Sequence, residues 1–185
     1  MKYNKYKEKT YQYWQNEFDR HDDYMGYTTL TGLFSVRNKI IELINDGESL
    51  LDVGCATGGT YDHIRHETDK KIKYKGVDYA SKFIQHRKRL RPEAEWEVQD
   101  ARYLKEKDNS WDVVLHFGAM DNTTGIKRAI REAKRVAKRL VIIIFWAQKN
   151  EQEYVEYMKK IFRNSYSFNL EGPDINHALY IIGEK

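Results

Sequence analysis

The sequence has little cysteine and little proline, and it lacks a long apolar run. Its single cysteine, Cys55, cannot form an internal disulfide, which agrees with a reducing compartment. The longest apolar run, residues 140–147, has eight residues against the roughly 20 that span a bilayer, so we expect no transmembrane helix. The N-terminal residues include no apolar segment of the kind found in secretion signals. We therefore expect a cytoplasmic protein without a membrane partner.

The composition is that of a folded, water-soluble chain. Hydrophobic residues make up 41% and charged residues 32% of the 185 positions, which excludes full disorder and indicates a heavily charged surface. The length suits one domain with a short appendage. The formal net charge of +4 is too small to indicate a nucleic-acid partner by itself. The net charge therefore does not indicate what kind of partner the protein binds.

The chain is expected to divide once, near residue 48. Residues 48–185 contain no Ser/Gly linker, internal repeat or low-complexity run, so we predict one domain there. Residues 1–47 would form an N-terminal helical cap or extension. Apolar spacing predicts one helix in it around residues 5–18, and a second from about Thr31 to Ile44 that is capped by a threonine.

From residue 49 onward, short β-branched runs alternate with helical patterns, which predicts βαβ units and a parallel sheet. The predicted parallel strands are residues 50–53, 72–77, 96–98, 113–117 and 140–145. Two further runs, residues 166–170 and 178–182, are separated by seven residues. Because that connection is too short for a helical crossover, the chain should end in an antiparallel pair.

The helix expected after the fourth strand has one apolar stripe and one basic face. The stripe consists of Ile126, Ala129, Ile130, Ala133, Val136 and Ala137. A second basic cluster covers residues 86–91. Nucleic-acid binding is one interpretation of these clusters, but their helices should cover opposite faces of the sheet and so would not form one groove. A solvated surface is the favoured interpretation.

The most informative segment is residues 50–60, a buried strand that runs into a glycine-rich turn and opens a helix. Glycines permit positive φ and close approach of a ligand, and the first turn of a helix offers unpaired N–H groups. Gly54, Ala56 and Gly59 also satisfy the dinucleotide-binding spacing with one substitution. The turn therefore predicts an adenosine-bearing cofactor, with the class of cofactor open at this point.

Acidic residues end three consecutive strands. Asp78 follows Asp52 by 26 residues and ends the second strand, where a carboxylate would meet a ribose diol. Asp100 ends the third strand, where it and the amide of Ala101 would meet an adenine edge. Because parallel strands present their carboxyl ends at one edge, Asp52, Asp78 and Asp100 should converge. Such an acidic site suits a cationic cofactor better than a pyrophosphate.

Residues 49–146, with the hairpin behind them, resemble the class I S-adenosylmethionine-dependent methyltransferases, most closely the small-molecule enzymes of methyltransferase types 11 and 25. The matching segments are Asp52-Val53-Gly54-Cys55-Ala56-Thr57-Gly58, Val77-Asp78, Gln99-Asp100-Ala101 and Trp111-Asp112-Val113-Val114, with His116 where the family often has a histidine. The resemblance implies an α/β, Rossmann-like methyltransferase fold. Its seven-stranded, mostly parallel sheet would end in a C-terminal antiparallel hairpin and carry helices on both faces.

The resemblance also implies the cofactor and the residues that hold it. The cofactor would be S-adenosyl-L-methionine, and the product S-adenosyl-L-homocysteine. The implied contacts are Gly54, Cys55, Ala56 and Gly58 for the methionine part, with Asp52 supporting that loop, Asp78 for the ribose, Tyr79, Asp100 and Ala101 for the adenine, and His116 beside the sulfonium. The chain departs from the family where the Pro-Gly turn before the fifth strand is absent, which predicts an unusually short connection around residues 138–140. His63 and His66 lack a third ligand, so no metal is expected.

The implied activity is methyl transfer to an oxygen or nitrogen atom of a small-molecule acceptor, with residues 1–47 as a cap over the site. Such a displacement mainly needs positioning and exclusion of water. Where a base is useful, His116, His21 and Asp121 are the candidates. Residues 116–119 lack the Asn/Asp-Pro-Pro-aromatic pattern of enzymes that methylate amino groups of adenine or glutamine.

Three other functions remain open on the sequence. One is an RNA methyltransferase, and a second is an NAD(P)-dependent Rossmann oxidoreductase that uses the same glycine turn. The third is an S-adenosylmethionine-binding protein without catalysis. The sequence assigns no oligomeric state.

Overall fold

The computed structural model describes residues 33–119, 125–146, 151–172 and 175–185. Those residues form helices and strands that alternate along the chain. In order they are α1 (Phe34–Leu43), β1 (Ser49–Val53), α2 (Gly59–Glu67), β2 (Lys73–Asp78), α3 (Ser81–Leu90), β3 (Glu95–Val98), β4 (Trp111–Phe117), α4 (Ile126–Val136), β5 (Ala137–Trp146), α5 (Glu151–Ile161), β6 (Asn164–Gly172) and β7 (Ile175–Glu184). Within these ranges, no helix has the length and apolar character needed to cross a membrane.

The strands form a single seven-stranded sheet in the order β3-β2-β1-β4-β5-β7-β6. The strands β1 to β5 pair in parallel. The strand β7 pairs antiparallel with both β5 and β6, so it inserts between them. The predicted fold, a mostly parallel sheet with a C-terminal antiparallel hairpin, is confirmed.

Side chains that alternate along the central strands divide the core into two layers. Leu50 and Leu115 face the first layer, to which α1, α2 and α3 contribute apolar residues. Leu51 and Val114 face the second layer, which α4 and α5 cover. Strands that are buried on both faces read as continuous apolar runs, as in this sequence. Helices therefore cover both faces, and the basic helices α3 and α4 lie on opposite sides of the sheet.

Two predicted helix ends are wrong. Ala137 does not continue the apolar stripe of α4, because it has extended backbone angles (φ −66°, ψ 141°) and pairs with Trp111 as the first residue of β5. The strand thus follows the helix with no residue between them, which confirms the short connection. At α1 the N-cap is Leu33 in the left-handed region (φ 67°), without a side-chain cap, rather than a threonine. The helix predicted around residues 5–18 lies outside the described residues.

Asp112 fixes β1 against β4 at the amino ends of these strands. Its Oδ2 accepts hydrogen bonds from the Ser49 hydroxyl at 2.6 Å and the Ser49 N–H at 2.9 Å. The Lys138 ammonium donates to Oδ1 at 3.0 Å. Partial burial alone would raise the pKa of the Asp112 carboxyl, but the bonds from Ser49 and Lys138 outweigh burial and lower this pKa to about 2. Asp112 therefore stabilises the sheet in its ionised form.

We expect Asp112→Asn to lower the free energy of unfolding by about 2 kcal/mol at pH 7, since each unit of pKa shift corresponds to about 1.4 kcal/mol. The stabilisation from a depressed carboxyl pKa is present above pH 4 and is lost as the pH falls toward 2. The deficit of the variant should therefore shrink in acid, as measured by urea unfolding at several pH values. Asp108→Asn, which removes a carboxylate from an exposed ion pair with Arg135, is the control and should change little. A deficit that stays constant down to pH 2 would contradict this account.

The turn between β1 and α2 rests on Arg87 of α3, which is buried at 1% exposure. The Arg87 guanidinium lies 4.8 Å from the centroid of the Trp96 ring and donates two 2.9 Å hydrogen bonds to the Asp62 carboxylate. Gly58 has a φ of 72°, and a Cβ added to it would lie 2.5 Å from Arg87 Nε. Both the backbone conformation and the space around it therefore require glycine at this position.

We expect Gly58→Ala to lower the free energy of unfolding more than Gly47→Ala does. Gly47 has a similar φ of 79°, but nothing lies within 4 Å of its added Cβ. The control thus carries only the left-handed backbone cost of about 1 kcal/mol, whereas Gly58→Ala adds about 1–3 kcal/mol of overpacking. Denaturant unfolding of both variants measures the difference. Equal losses would show that Arg87 does not restrict the turn.

Candidate functional site

The turn after β1 is the centre of the candidate site. Gly54, Ala56 and Gly58 all have positive φ, at 79°, 46° and 72°. The N–H groups of Gly54 and Cys55 donate to the Val77 carbonyl at 2.7 and 3.1 Å, which holds the turn against β2. A Cβ on Gly54 would collide with the Cβ of Ala119, so the turn closely approaches the segment after β4. The sequence folds this way because glycine tolerates both the positive φ and the contact.

Asp78 links the end of β2 to this turn. Its Oδ2 accepts the Ala56 N–H at 2.9 Å, and its Oδ1 accepts the Ala80 N–H at 2.8 Å. Burial raises the pKa of Asp78, and the N–H groups of Ala80, Ala56 and Tyr79 oppose that rise. The residue is half-buried, so the carboxylate is fixed in direction yet not sealed off. Each oxygen keeps acceptor capacity for a hydroxyl donor.

Asp52 of β1 is sealed in the core, unlike the half-buried Asp78. It is 1% exposed and accepts a 2.6 Å hydrogen bond from the Tyr74 hydroxyl. Burial raises the pKa of Asp52 to about 6, against the opposing effect of hydrogen bonds from Tyr74 and Thr60. Its contacts therefore lie within the core below the turn.

Asp100 follows β3 and is held by its own neighbour, Arg102. The Gln99 N–H donates to the Asp78 carbonyl at 3.0 Å, which places Asp100 next to the end of β2. The Arg102 guanidinium donates to both carboxylate oxygens, with Nη2 2.7 Å from Oδ2 and Nε 3.0 Å from Oδ1. Burial would raise the pKa of Asp100, but Arg102 lowers it below the ordinary value. Asp100 is therefore ionised and paired.

The half-buried residues at these strand ends define what we call the strand-end site. They are Gly54, Ala56, Asp78, Tyr79, Asp100, Ala101, Phe117, Gly118 and Ala119. The turn residues Cys55 and Gly58 are buried. Burial, together with the nearby Asp78 and Asp52 carboxylates, raises the pKa of the Cys55 thiol well above its ordinary value, so this cysteine is a packed thiol rather than a nucleophile.

His116 is fully buried on β4. Among the described residues neither ring nitrogen has a hydrogen-bond partner, and burial lowers the pKa of the ring to about 3. The imidazole is therefore neutral at physiological pH. Its place on β4, two residues after Val114, puts it on the face of the second core layer. The other two candidates for a base, His21 and Asp121, lie outside the described residues.

Sequence reasoning did not find the arginines that hold the site. Arg37 of α1 is buried at 3% exposure. Its guanidinium lies 5.8 Å from the centroid of the Phe117 ring, and its charge acts on Asp52. Arg102 follows Asp100 by two residues. This short spacing is the sequence feature that could have predicted their ion pair.

The strand-end site fits an adenosine-bearing, positively charged ligand. Glycines let a ligand come close to the backbone of the turn, and Asp78 offers an oriented carboxylate beside it. In the described ranges, no three His, Cys, Asp or Glu side chains are grouped as a metal site would require.

Comparison with known proteins agrees with this geometry. Residues 50–139 match the model of the family described as "Methyltransferase domain". The chain is 28% identical over 120 residues to norajmaline N-methyltransferase of Rauvolfia serpentina, which covers 60% of this chain and 40% of that protein. It is 28% identical over 105 residues to demethylmenaquinone methyltransferase of Thermotoga maritima, covering 56% and 45%. The chain thus spans less than half the length of these curated relatives.

The fold has close counterparts among solved structures. An S-adenosylmethionine-dependent methyltransferase from Thermotoga maritima superposes with a TM-score of 0.75, over 95% of this chain and all of that one, at 16% identity. At such identity the likeness shows the fold. Residues 50–139 thus match the methyltransferase-domain family, and the fold around them is one that S-adenosylmethionine-dependent methyltransferases share.

Proposed function

We propose that this chain transfers a methyl group from S-adenosyl-L-methionine to an oxygen or nitrogen atom of a small-molecule acceptor. The observation that carries the proposal is the Asp78 carboxylate, which the turn residue Ala56 and the following Ala80 hold beside the glycine turn. A fixed carboxylate beside a glycine turn that a ligand can approach closely suits a ribose diol joined to an amino acid. The cofactor supplies an already activated methyl group on a sulfonium.

The chain's own residues would bind and orient the two reactants. In this proposal, the turn from Gly54 to Gly58 holds the methionine part and Asp78 the ribose hydroxyls. Tyr79 and Ala101 border the adenine, with Asp100 at its edge. No general base is essential, because positioning and exclusion of water supply most of the rate of such a displacement. His116 has a pKa of about 3, so its ionisation would not shape a rate profile near neutral pH.

Two features of the fold speak against the oxidoreductase alternative. A dinucleotide-binding sheet is mostly parallel across its six strands, whereas here the antiparallel β7 lies between β5 and β6. The carboxylates of Asp52, Asp78 and Asp100 also follow one another at neighbouring strand ends. Of the three, Asp78 accepts only backbone N–H groups among the described contacts, so its uncancelled charge would repel a pyrophosphate and attract a sulfonium.

A small acceptor suits the charge distribution better than RNA does. The basic helices α3 and α4 lie on opposite faces of the sheet, and their most buried cations are already paired. Arg87 is bound to Asp62, and Arg135 to Glu132 and Asp108. Paired charges release few counterions on binding to phosphates and so add little affinity. The two curated relatives also carry small molecules in their names.

Titration calorimetry with S-adenosylhomocysteine and, separately, NADH tests the cofactor. We expect micromolar binding of the first ligand alone. Asp78→Ala should weaken it about 100-fold, because hydrogen bonds to a charged group contribute about 1.5–3 kcal/mol each. Asp69→Ala removes an exposed carboxylate elsewhere on the surface and should bind like the wild type. Binding of NADH alone would overturn the proposed function.

The proposed cap role of residues 1–47 has its own test. Deletion of residues 1–28 should leave the affinity for S-adenosylhomocysteine within about threefold, and it should abolish transfer of a labelled methyl group to a library of small hydroxyl and amine compounds. The reason is that the strand-end site is built by residues after 50, whereas the acceptor needs a covered pocket. Transfer that survives the deletion would show that the N-terminal residues do not form the cap.

A further inference from the structure

Asp100 is the one acid of the strand-end site whose direction is set by an arginine. Its Oδ1 accepts the Arg102 N–H at 2.8 Å and Arg102 Nε at 3.0 Å. Its Oδ2 accepts Arg102 Nη2 at 2.7 Å and shares Nε at 3.1 Å. A bidentate contact of this kind fixes both the position and the plane of a carboxylate. Asp100 therefore cannot turn without breaking the arginine contact.

Counting lone pairs shows what Asp100 can still accept. A carboxylate has about four acceptor positions, two on each oxygen. Arg102 fills both positions on Oδ1 and one on Oδ2, which leaves one position on Oδ2 for a further donor. The side chains of Asp100 and Arg102 are 29% and 33% exposed, so that remaining position is accessible. The Gln99 N–H donates to the Asp78 carbonyl at 3.0 Å, so the pair lies next to the end of β2, where Tyr79, the residue proposed to border the adenine, follows Asp78.

We propose that Arg102 is a positioning residue that makes Asp100 select a 6-amino purine over a 6-oxo purine in the cofactor. The inference rests on the proposed function, since it takes the adenine to lie beside Asp100. An adenine 6-amino group donates a hydrogen bond, and the free position on Oδ2 can accept it. A 6-oxo group only accepts, so it would face an ionised acceptor and lose affinity.

The selection requires that Asp100 be both fixed and ionised. Without Arg102 the carboxyl could rotate away from a 6-oxo group, or take up a proton and donate to that group. Either response removes the penalty against the 6-oxo purine. A site that leaves a buried polar group unpaired against the wrong ligand discriminates strongly, whereas an adaptable site does not.

Arg128 offers a matched control for the charge of Arg102. Its guanidinium lies 3.8 Å from the centroid of the Tyr103 ring, and its Nε donates to the Arg102 carbonyl at 3.0 Å. It thus stands beside Arg102 with the same charge and a similar length, but it donates no hydrogen bond to the Asp100 carboxylate. A change caused by lost positive charge alone would appear in both variants.

The experiment measures the dissociation constants of S-adenosylhomocysteine and S-inosylhomocysteine, which differ at the purine 6-position. We expect the wild type to prefer the 6-amino ligand by about 100-fold, and Arg102→Met to reduce this preference at least tenfold. Arg128→Met should keep the wild-type ratio. Arg102→Lys keeps the charge without the bidentate contact, and its ratio should fall below that of the wild type. Because lysine preserves the charge at that position, this variant carries the test if Arg102→Met melts at a markedly lower temperature.

A second measurement follows the affinity for S-adenosylhomocysteine from pH 7 to pH 5. Arg102 lowers the pKa of Asp100, so the wild-type carboxylate stays ionised over this range. Removal of Arg102 raises that pKa, and the affinity of Arg102→Met should therefore decline more at the acidic end than that of Arg128→Met, because Arg128 lowers the pKa of Asp100 through its charge alone and less than Arg102 does.

The outcomes distinguish a failure of the proposed role of Arg102 from a failure of the proposed methyltransferase function. A wild type that binds neither purine ligand overturns both. A wild type that prefers the 6-amino ligand, with Arg102→Met or Arg102→Lys retaining the full ratio, overturns the role of Arg102 and leaves the methyltransferase proposal intact.

Discussion

The site depends on one carboxylate that accepts two backbone N–H groups. Asp78 binds Ala56 on one oxygen and Ala80 on the other, so it ties the glycine turn after β1 to the start of α3. Ala56 has a φ of 46°, a conformation that an alanine rarely adopts without such a partner. The conformation of the turn then places Gly58 close to Arg87 and Gly54 close to Ala119. Changing this carboxylate would therefore alter the turn, and through it the approach of β4.

Three aspartates at neighbouring strand ends do different work because their surroundings differ. Asp52 is sealed in the core with Tyr74, and burial raises its pKa to about 6. Asp78 is held by backbone N–H groups, and Asp100 by a guanidinium. Each of the three carboxylates thus has its own kind of hydrogen-bond partner. In the proposed function Asp52 supports the turn, Asp78 binds the ribose and Asp100 lies at the adenine edge. A common position in the sheet gives them a common site, and their neighbours assign the separate tasks.

Local sequence patterns were sufficient for the sheet and for the half-buried acids. β-branched runs and strand-end aspartates depend on side chains close in sequence, and the structure confirms the sheet that they predict. Asp100 and Arg102 are also close in sequence, yet the pattern gives no direction for either side chain. Arg37 and Arg87 are buried by partners distant in sequence, Phe117 and Asp62, which no periodicity reveals. The end of α4 was missed because Ala137 suits a helix and a strand equally until its pairing with Trp111 decides.

The charges in the interior favour a cationic ligand at the strand ends. His116 is buried, and burial lowers its pKa to about 3, so it remains neutral and adds no positive charge to β4. Arg87 and Arg102 are each neutralised by an aspartate, whereas the Asp78 carboxylate accepts only backbone N–H groups among the described contacts. Its negative charge is therefore not cancelled by a side-chain cation. Such a charge in a partly desolvated place attracts a sulfonium more strongly than it would in water. The fold thus pairs its arginines elsewhere and keeps one carboxylate open to a cation beside the glycine turn.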